Sequence, residues 1–467
     1  MEDTRDNLYM INKPPTKDTF FLRYRPILIA IFLISIFGST VYVNSLNNEF
    51  TWDDEWLVEN NVHIRNWSNT TKIFMEDVGA GAGGKYHFYR PVQIFTYMID
   101  YSLWKLNVRG YHFTSILLHI LAALTIYWLI NILFKDNLLS LCTSILFVVH
   151  PIHTEAVTYI SGRSDSLATI FMLVCIIFYI KYLRRAGNKV YIFMIISYTL
   201  ALLSKENSLI LPALILLYTF AFKEKLKVKG FLPIVSIAFI FVLLRSTVLE
   251  SLSFQTSYTT TLFQRIPGFF VAITNYIRLM FLPFNLHMEY GNKLFNLSNP
   301  KAMAGLLILV SLLIYAFRKK KANVLIFFSI FWFFIALLSV SNLYPINAYM
   351  AEHWMYLPSI GFFLILSKGL NYIYRTKNLR IFAVGLMIGL LAFYSYLTLR
   401  QNNYWKEPIA FYERILKYAP DSCKIYNNLG VAYMNLGNKK EAISSYKKAI
   451  EIDPDYSEAY NNLGVAY

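Results

Sequence analysis

Residues 26–46 read PILIAIFLISIFGSTVYVNSL, a stretch with no charged side chain that follows Arg23 and Arg25. About 20 mostly apolar residues in a helix cross the roughly 30 Å of a bilayer core. No small-residue cleavage site accompanies the run, so it is expected to be a retained signal anchor. Working outward, similar runs lie near 112–134, 138–150, 166–183, 189–204, 207–222, 230–249, 302–317, 324–340, 355–371 and 380–399. The chain as a whole agrees: of 467 residues 56% are hydrophobic and 15% charged, against about 45–50% and about 25% in soluble domains. With a mean hydropathy of +0.42, disorder, a collagenous chain and a disulfide scaffold are excluded. Cys142, Cys175 and Cys423 are far apart and have no metal-ligand spacing, so they receive no role.

A net charge of +16 is compatible with nucleic-acid binding until its positions are examined. The excess sits at alternate ends of the apolar runs: Arg23/Arg25, Lys135, Lys181/Arg184/Arg185/Lys189, Lys223/Lys225/Lys227/Lys229, Arg318 to Lys321, and Arg375/Lys377/Arg380. Lys and Arg accumulate in cytoplasmic loops, so no nucleic-acid partner is expected and the partners begin with membrane lipids. The segment 269–284 is apolar too, but a crossing there would put the Arg318–Lys321 cluster outside. It is therefore expected to be an outer interfacial or re-entrant helix, broken at Pro283. The expected fold is all-α: a polytopic helix bundle of about 11 spans, N-terminus inside and C-terminus outside. An extracytoplasmic α-helical repeat segment follows. The expected divisions are a cytoplasmic tail at 1–25, a transmembrane domain at 26–400 with an outer loop at 47–111, and repeats at 401–467.

That repeat is explicit. Asn427-Asn428-Leu429-Gly430-Val431-Ala432-Tyr433 recurs from Asn461 to Tyr467, an offset of 34 residues, the tetratricopeptide period. One full unit is expected at 423–456, with partial units on either side. Such arrays present a concave surface to peptides, so Tyr426, Asn427, Asn428 and Asn461 become candidates for an acceptor or partner surface. A spacer that only packs on the membrane domain is the bland alternative.

The remaining charges cluster at the opposite ends of the spans from the basic loops. Trp52-Asp53-Asp54-Glu55 lies just beyond the first span. Arg90 lies in Tyr89-Arg90-Pro91, and His150-Pro151-Ile152-His153-Thr154-Glu155 stands at the end of another run. Ser161-Gly162-Arg163-Ser164-Asp165 opens the next, followed by Ser204-Lys205-Glu206 and Glu352-His353-Trp354-Met355-Tyr356-Leu357-Pro358. Ionisable groups at the edge of a membrane are costly unless partnered and mark function by default. Structural alternatives exist: Glu155 with Arg163 as an ion pair, Lys205 and Glu206 as snorkelling side chains, and His119 as a packing residue. His150 and His153 with Glu155 have the look of a metal set, but catalytic zinc usually has three firm ligands and Pro151 interrupts the helical face. No metal is expected. The glycine-rich stretch 79–84 lacks the Lys-Ser/Thr of a phosphate loop and is expected to be a flexible outer segment.

These motifs together resemble the transmembrane and tetratricopeptide repeat-containing (TMTC-type) O-mannosyltransferases, members of the GT-C membrane glycosyltransferases. The likeness covers essentially the whole chain, and its most specific part is the block 150–168. Two positions depart from the pattern: Ser115 replaces an Asn between His112 and His119, and His353 replaces an expected Arg. The resemblance implies a polyprenyl-phosphate sugar as donor, with mannose the default, and a Ser or Thr hydroxyl of an exported polypeptide as acceptor, transferred with inversion. It implies Asp54 or Asp53 as the base, with Asp54 narrowly preferred. Arg90, Arg163, Lys205 and His353 would meet the donor phosphate. His150, His153, Glu155, Asp165, Glu206 and Glu352 would support the site. No cofactor beyond the lipid-linked donor is implied. A lipid or glycan acceptor, a non-enzymatic scaffold and a transporter are the other functions considered. The abundance of Lys, Ile and Asn favours a prokaryotic plasma membrane over an endoplasmic reticulum.

Overall fold

In the computed structural model, residues 17–184, 187–248, 260–291, 293–346 and 348–467 are described, with side chains from Tyr24 onward. Arg23 and Arg185 of the expected basic clusters lie outside the described side chains. The described residues form helices and turns, with no strand among them. The long helices are α1 (Lys17–Tyr42), α2 (Pro91–Trp104), α3 (Val108–Phe134), α4 (Asn137–Val149), α5 (Arg163–Arg184), α6 (Asn188–Ser204), α7 (Leu211–Ala221), α8 (Val228–Val248) and α9 (Leu262–Phe281). They continue with α10 (Pro300–Lys319), α11 (Val324–Leu338), α12 (Ser359–Arg375), α13 (Arg380–Asn402), α14 (Pro408–Leu416), α15 (Cys423–Asn435), α16 (Lys439–Ile452) and α17 (Ser457–Ala466).

Every one of the eleven apolar runs is helical. Six segments are long and apolar enough to cross a membrane: Tyr24–Asn47, Val108–Phe134, Ile160–Arg184, Val228–Thr247, Pro300–Lys319 and Lys377–Trp405. Such a chain is a multi-pass membrane protein. A bent pair, Asn137–Val149 with Pro151–Val157, would add a seventh; it turns by 55° because Pro151 has no N–H to continue α4. The runs at 189–204, 207–222 and 324–340 are shorter apolar helices, and 355–371 becomes α12. The expected count of about eleven depends on these shorter elements. Helix α9 covers most of the doubtful 269–284 segment, ends at Phe281 before Pro283, and is not one of the six segments long and apolar enough to cross.

Helices α3 and α5 lie at the centre, flanked by α1, α4 and α6, with α12 packed on α4, and one continuous apolar core runs through α1, α3 to α7, α11 and α12. Lipid-facing positions such as Phe32, Leu243 and Ile381 remain exposed. The loop between α1 and α2 has a small core of its own, around Leu57, Val58, Ile64, Ile73, Tyr97, Met98 and Ile160. Its glycine-rich stretch is a tight turn. The Asp77 carboxylate accepts from the Gly79, Tyr86 and Phe88 amides at 2.8–3.0 Å.

The tail stacks as paired helices: α14 on α15, α15 on α16, and α16 on α17. Gly430 lets the Tyr446 ring lie against the α15 backbone, where a Cβ would overlap it. The tail does not hang free. Trp405, Phe411, Tyr412, Ile425 and Leu429 share a core with Trp52, in the loop after α1, and Tyr159, in the turn before α5.

Candidate active site

The Asp53-Asp54 pair is built by a turn after α1. Trp52 adopts a left-handed conformation (φ 57°), which costs a bulky residue about 1–2 kcal/mol, and it is held by ring contacts to Phe411 and Tyr412 at 6.0 Å. The two acids then meet different surroundings. Asp54 is 1% exposed. Its Oδ1 accepts from the Ser161 amide at 2.8 Å and the Ser161 hydroxyl at 2.5 Å, and its Oδ2 accepts from the Thr51 amide at 3.3 Å. Burial pushes its carboxyl up to about 7, opposed by the Ser161 and Thr51 hydrogen bonds and helped by the neighbouring Asp53 charge. Asp53 keeps part of its surface, and its backbone N–H donates to the Tyr159 hydroxyl at 3.3 Å. Burial raises its carboxyl too, while Tyr159, Lys424 and Arg90 pull it back. A base must reach the hydroxyl that it deprotonates. The accessible acid is Asp53, whereas the residue narrowly preferred from the sequence, Asp54, is sealed.

Ser161 sits in the turn before α5. Gly162 allows that turn to pass over the carbonyl of Glu155, where a Cβ would collide. Gln93 and Tyr97 of α2 fasten the same turn through the Ser161 and Ile160 carbonyls, at 2.8 and 2.9 Å. The 150–168 block and α2 are thus brought under Asp54 by tertiary contacts.

The four basic residues expected to meet the phosphate are all partnered. Arg90 makes a two-pronged contact with Glu206, Nε to Oε2 at 2.9 Å and a terminal nitrogen to Oε1 at 2.6 Å. Lys205 Nζ meets Asp165 Oδ2 at 2.6 Å. The charge of Arg90 also acts on Asp53 and Asp165, so these groups form one cluster. Arg245, in the last turn of α8, joins them. Phe241 packs on Tyr89 with ring centroids 6.3 Å apart, and Arg245, one turn on, acts on Glu206. Sequence reasoning missed Arg245. The available signal was a basic residue at the end of a run opposite to the one that carries the Lys223–Lys229 cluster.

Arg163 is placed otherwise than expected. Its guanidinium is 0% exposed, paired with Asp100 at 2.6 Å, and bonded to the Tyr111 carbonyl, Thr96 and Ser115. A phosphate could reach it only by displacing Asp100. The suggested Glu155–Arg163 pair is absent, because Glu155 is bound by His353 instead, through Nδ1 at 2.7 Å and the amide at 2.9 Å. Glu352 accepts from the His287 amide at 2.6 Å and Tyr290 at 2.7 Å. Burial and the Glu155 charge hold its carboxyl well above the usual range.

His150 and His153 are fully buried. His150 bonds the Met280 carbonyl at 3.2 Å and His153 packs on Phe147 at 4.2 Å between ring centroids, so both stand in the core below the site. His119 bonds Tyr356 at 2.6 Å and the Val148 carbonyl. Among the described residues, no three His, Cys, Asp or Glu side chains converge on a possible metal position.

In the repeats, Asn427 is buried and its Oδ1 accepts from Asn462 at 2.9 Å. It joins α15 to α17 and is not available to a partner as expected. Asn461 is exposed, and Tyr426 and Asn428 are half-buried. Tyr426 borders a shallow hollow of about 370 Å³ with Ser445, Lys447 and Glu451.

Two family profiles match the chain: dolichyl-phosphate-mannose-protein mannosyltransferase over residues 91–249 and tetratricopeptide repeat over 423–456. The chain is similar to protein O-mannosyl-transferase F38B6.6 of Caenorhabditis elegans, at 28% identity over 83% of this chain and 58% of that protein. It is also similar to human protein O-mannosyl-transferase TMTC1, at 35% identity over 30% of this chain and 16% of that protein. The chain therefore spans well under two thirds of these relatives' length. A crystal structure of ArnT from Cupriavidus metallidurans bound to undecaprenyl phosphate aligns over 93% of this chain and 76% of that one. The TM-score is 0.48 at 12% identity, too slight a likeness to carry an argument. The resemblance to TMTC-type transferases drawn from the motifs is shared by these matched relatives.

Proposed function

We propose that this chain is a GT-C membrane glycosyltransferase. It moves a sugar, with mannose the default, from a polyprenyl phosphate to Ser or Thr hydroxyls of exported polypeptides, on the extracytoplasmic side. The observation that carries this reading is the unequal acid pair: a reachable Asp53 braced by a sealed, thrice-bonded Asp54, within range of the Arg90 charge. The names of the matched relatives support the same activity.

In the proposed reaction Asp53 takes the proton of the acceptor hydroxyl. The hydroxyl oxygen attacks the anomeric carbon opposite the phosphate, and the carbon–oxygen bond to phosphate breaks with its electron pair. Polyprenyl phosphate departs and the configuration inverts. The leaving charge would fall to Arg90, Lys205 and Arg245. These three cations are gathered with the carboxylates of Glu206, Asp165 and Asp53 in one cluster. Such preorganised charge in a water-poor site is usually the largest catalytic contribution. His353, with Nδ1 held by Glu155, would present its other nitrogen to the sugar or phosphate. Glu352 and its partners would shape that side.

The test uses the purified chain with a polyprenyl-phosphate mannose and a Ser/Thr-rich peptide. Asp53→Asn should lower transfer by about 10²–10⁴-fold, the usual contribution of a general base, without unfolding the protein. Undiminished transfer in the Asp53→Asn/Asp54→Asn double variant would remove the base assignment. Loss of sugar from exported proteins in a deletion strain, read by mass spectrometry, separates a protein acceptor from a lipid or glycan.

A further inference from the structure

We propose that the first helix pair of the repeat segment forms a wall of the active site, and that Lys424 positions Asp53 by clamping Trp52. The inference rests on Asp53 being the base. Lys424, in the first turn of α15, places Nζ 4.6 Å from the centroid of the Trp52 indole. Phe411 and Tyr412 of α14 hold the same indole from other sides, and Trp405 behind them stacks on Tyr159 at 5.3 Å. Tyr159 in turn accepts from the Asp53 amide.

Both neighbours of the base are therefore gripped by residues 405–424. A left-handed Trp is stable only where its surroundings over-determine it, and here those surroundings come from the tail. The residue after Trp52 is Asp53, so the clamp sets where the carboxylate points.

Lys424 also supplies charge. Asp53 is faced by Arg90 from the start of α2, Tyr159 from the turn before α5 and Lys424 from α15. Asp54 and Glu55 are its sequence neighbours, and the phenols of Tyr86 and Tyr412 are close enough to feel it. Arg90 is committed to Glu206. Lys424 has no carboxylate at ion-pair distance among the described residues and is exposed, so its influence should be screened by salt.

The experiment compares Lys424→Met, Lys424→Arg and Trp52→Gly in the full chain. Asp53 is titrated by infrared difference against Asp53→Asn, with no substrate present. In Lys424→Met the carboxyl midpoint and the acidic limb of kcat/KM should both move up by about half a pH unit at low salt. Donor KM should not change, and Lys424→Arg should restore both. Trp52→Gly accepts the left-handed backbone without cost but loses the clamp, so kcat should fall about 10- to 100-fold at constant donor KM. An unmoved midpoint in Lys424→Met, no rescue by Arg, or full kcat in Trp52→Gly would each overturn the proposal. If Asp53→Asn retains activity, the base assignment fails instead, and the infrared result still decides whether Lys424 acts on Asp53.

Discussion

Asp53 and Asp54 show how much one peptide bond can separate two identical side chains. Charges this close titrate as a pair. Burial raises both carboxyls, and Asp54, pushed up to about 7, should keep its proton through the weakly acidic range, while Tyr159, Lys424 and Arg90 favour the charged form of Asp53. Two outcomes are expected. Asp54→Asn, which mimics the protonated partner, should keep transfer within about tenfold below pH 7, while Asp53→Asn lowers it by about 10²–10⁴-fold; comparing the two pH–rate profiles decides. Ser161→Ala removes the 2.5 Å hydroxyl bond, so Asp54 should protonate at higher pH still. A hydrogen bond to a charged group contributes about 1.5–3 kcal/mol, and stability above pH 7 should fall by that order. For stability the sign is that of a raised acid. The folded state keeps a proton that the unfolded state has lost, so stability declines from about pH 4 to about pH 7.

At the scale of helices, Arg163 illustrates a residue whose motif was visible but whose role was not. Its position at the start of a span marked it as unusual, and the resemblance suggested a phosphate ligand. The structure instead gives it Asp100 from α2 and the Tyr111 carbonyl of α3, so one guanidinium locks α2, α3 and α5 together beneath the site. Breaking a buried pair by removing one partner costs about 3–5 kcal/mol, whereas replacing both by apolar groups is often nearly neutral. Arg163→Met should therefore destabilise the protein strongly, and Arg163→Met with Asp100→Leu should recover most of the loss, read by thermal unfolding in detergent. A phosphate ligand would show the reverse: little change in stability and a raised donor KM. The helices themselves were legible because hydropathy over about 20 residues is a local property. The tight turn at 79–84 was not, since it depends on Asp77, which composition alone does not single out.

For the whole molecule, the repeat segment is joined to the membrane domain through the core around Trp405, Phe411 and Tyr159. Ending the chain at residue 400 should abolish transfer even to a short peptide too small to use the repeats. A tethered presenting module would leave that reaction intact. The expected topology has its own measurement: a tag at Ser298 should report from the extracytoplasmic side.

Taken alone, the sequence determined that the chain is a membrane protein built of helices, that a 34-residue repeat ends it, and that polar motifs gather at one end of the spans. Those properties are periodic or contiguous, and they survive in one dimension. Only the tertiary structure decided which charge meets which: Asp54 with Ser161, Arg90 with Glu206, Arg163 with Asp100, Glu155 with His353. Each pair joins segments tens to hundreds of residues apart. In a site largely closed to water the partner of a charge, more than its identity, decides whether it is a strut or is free to act.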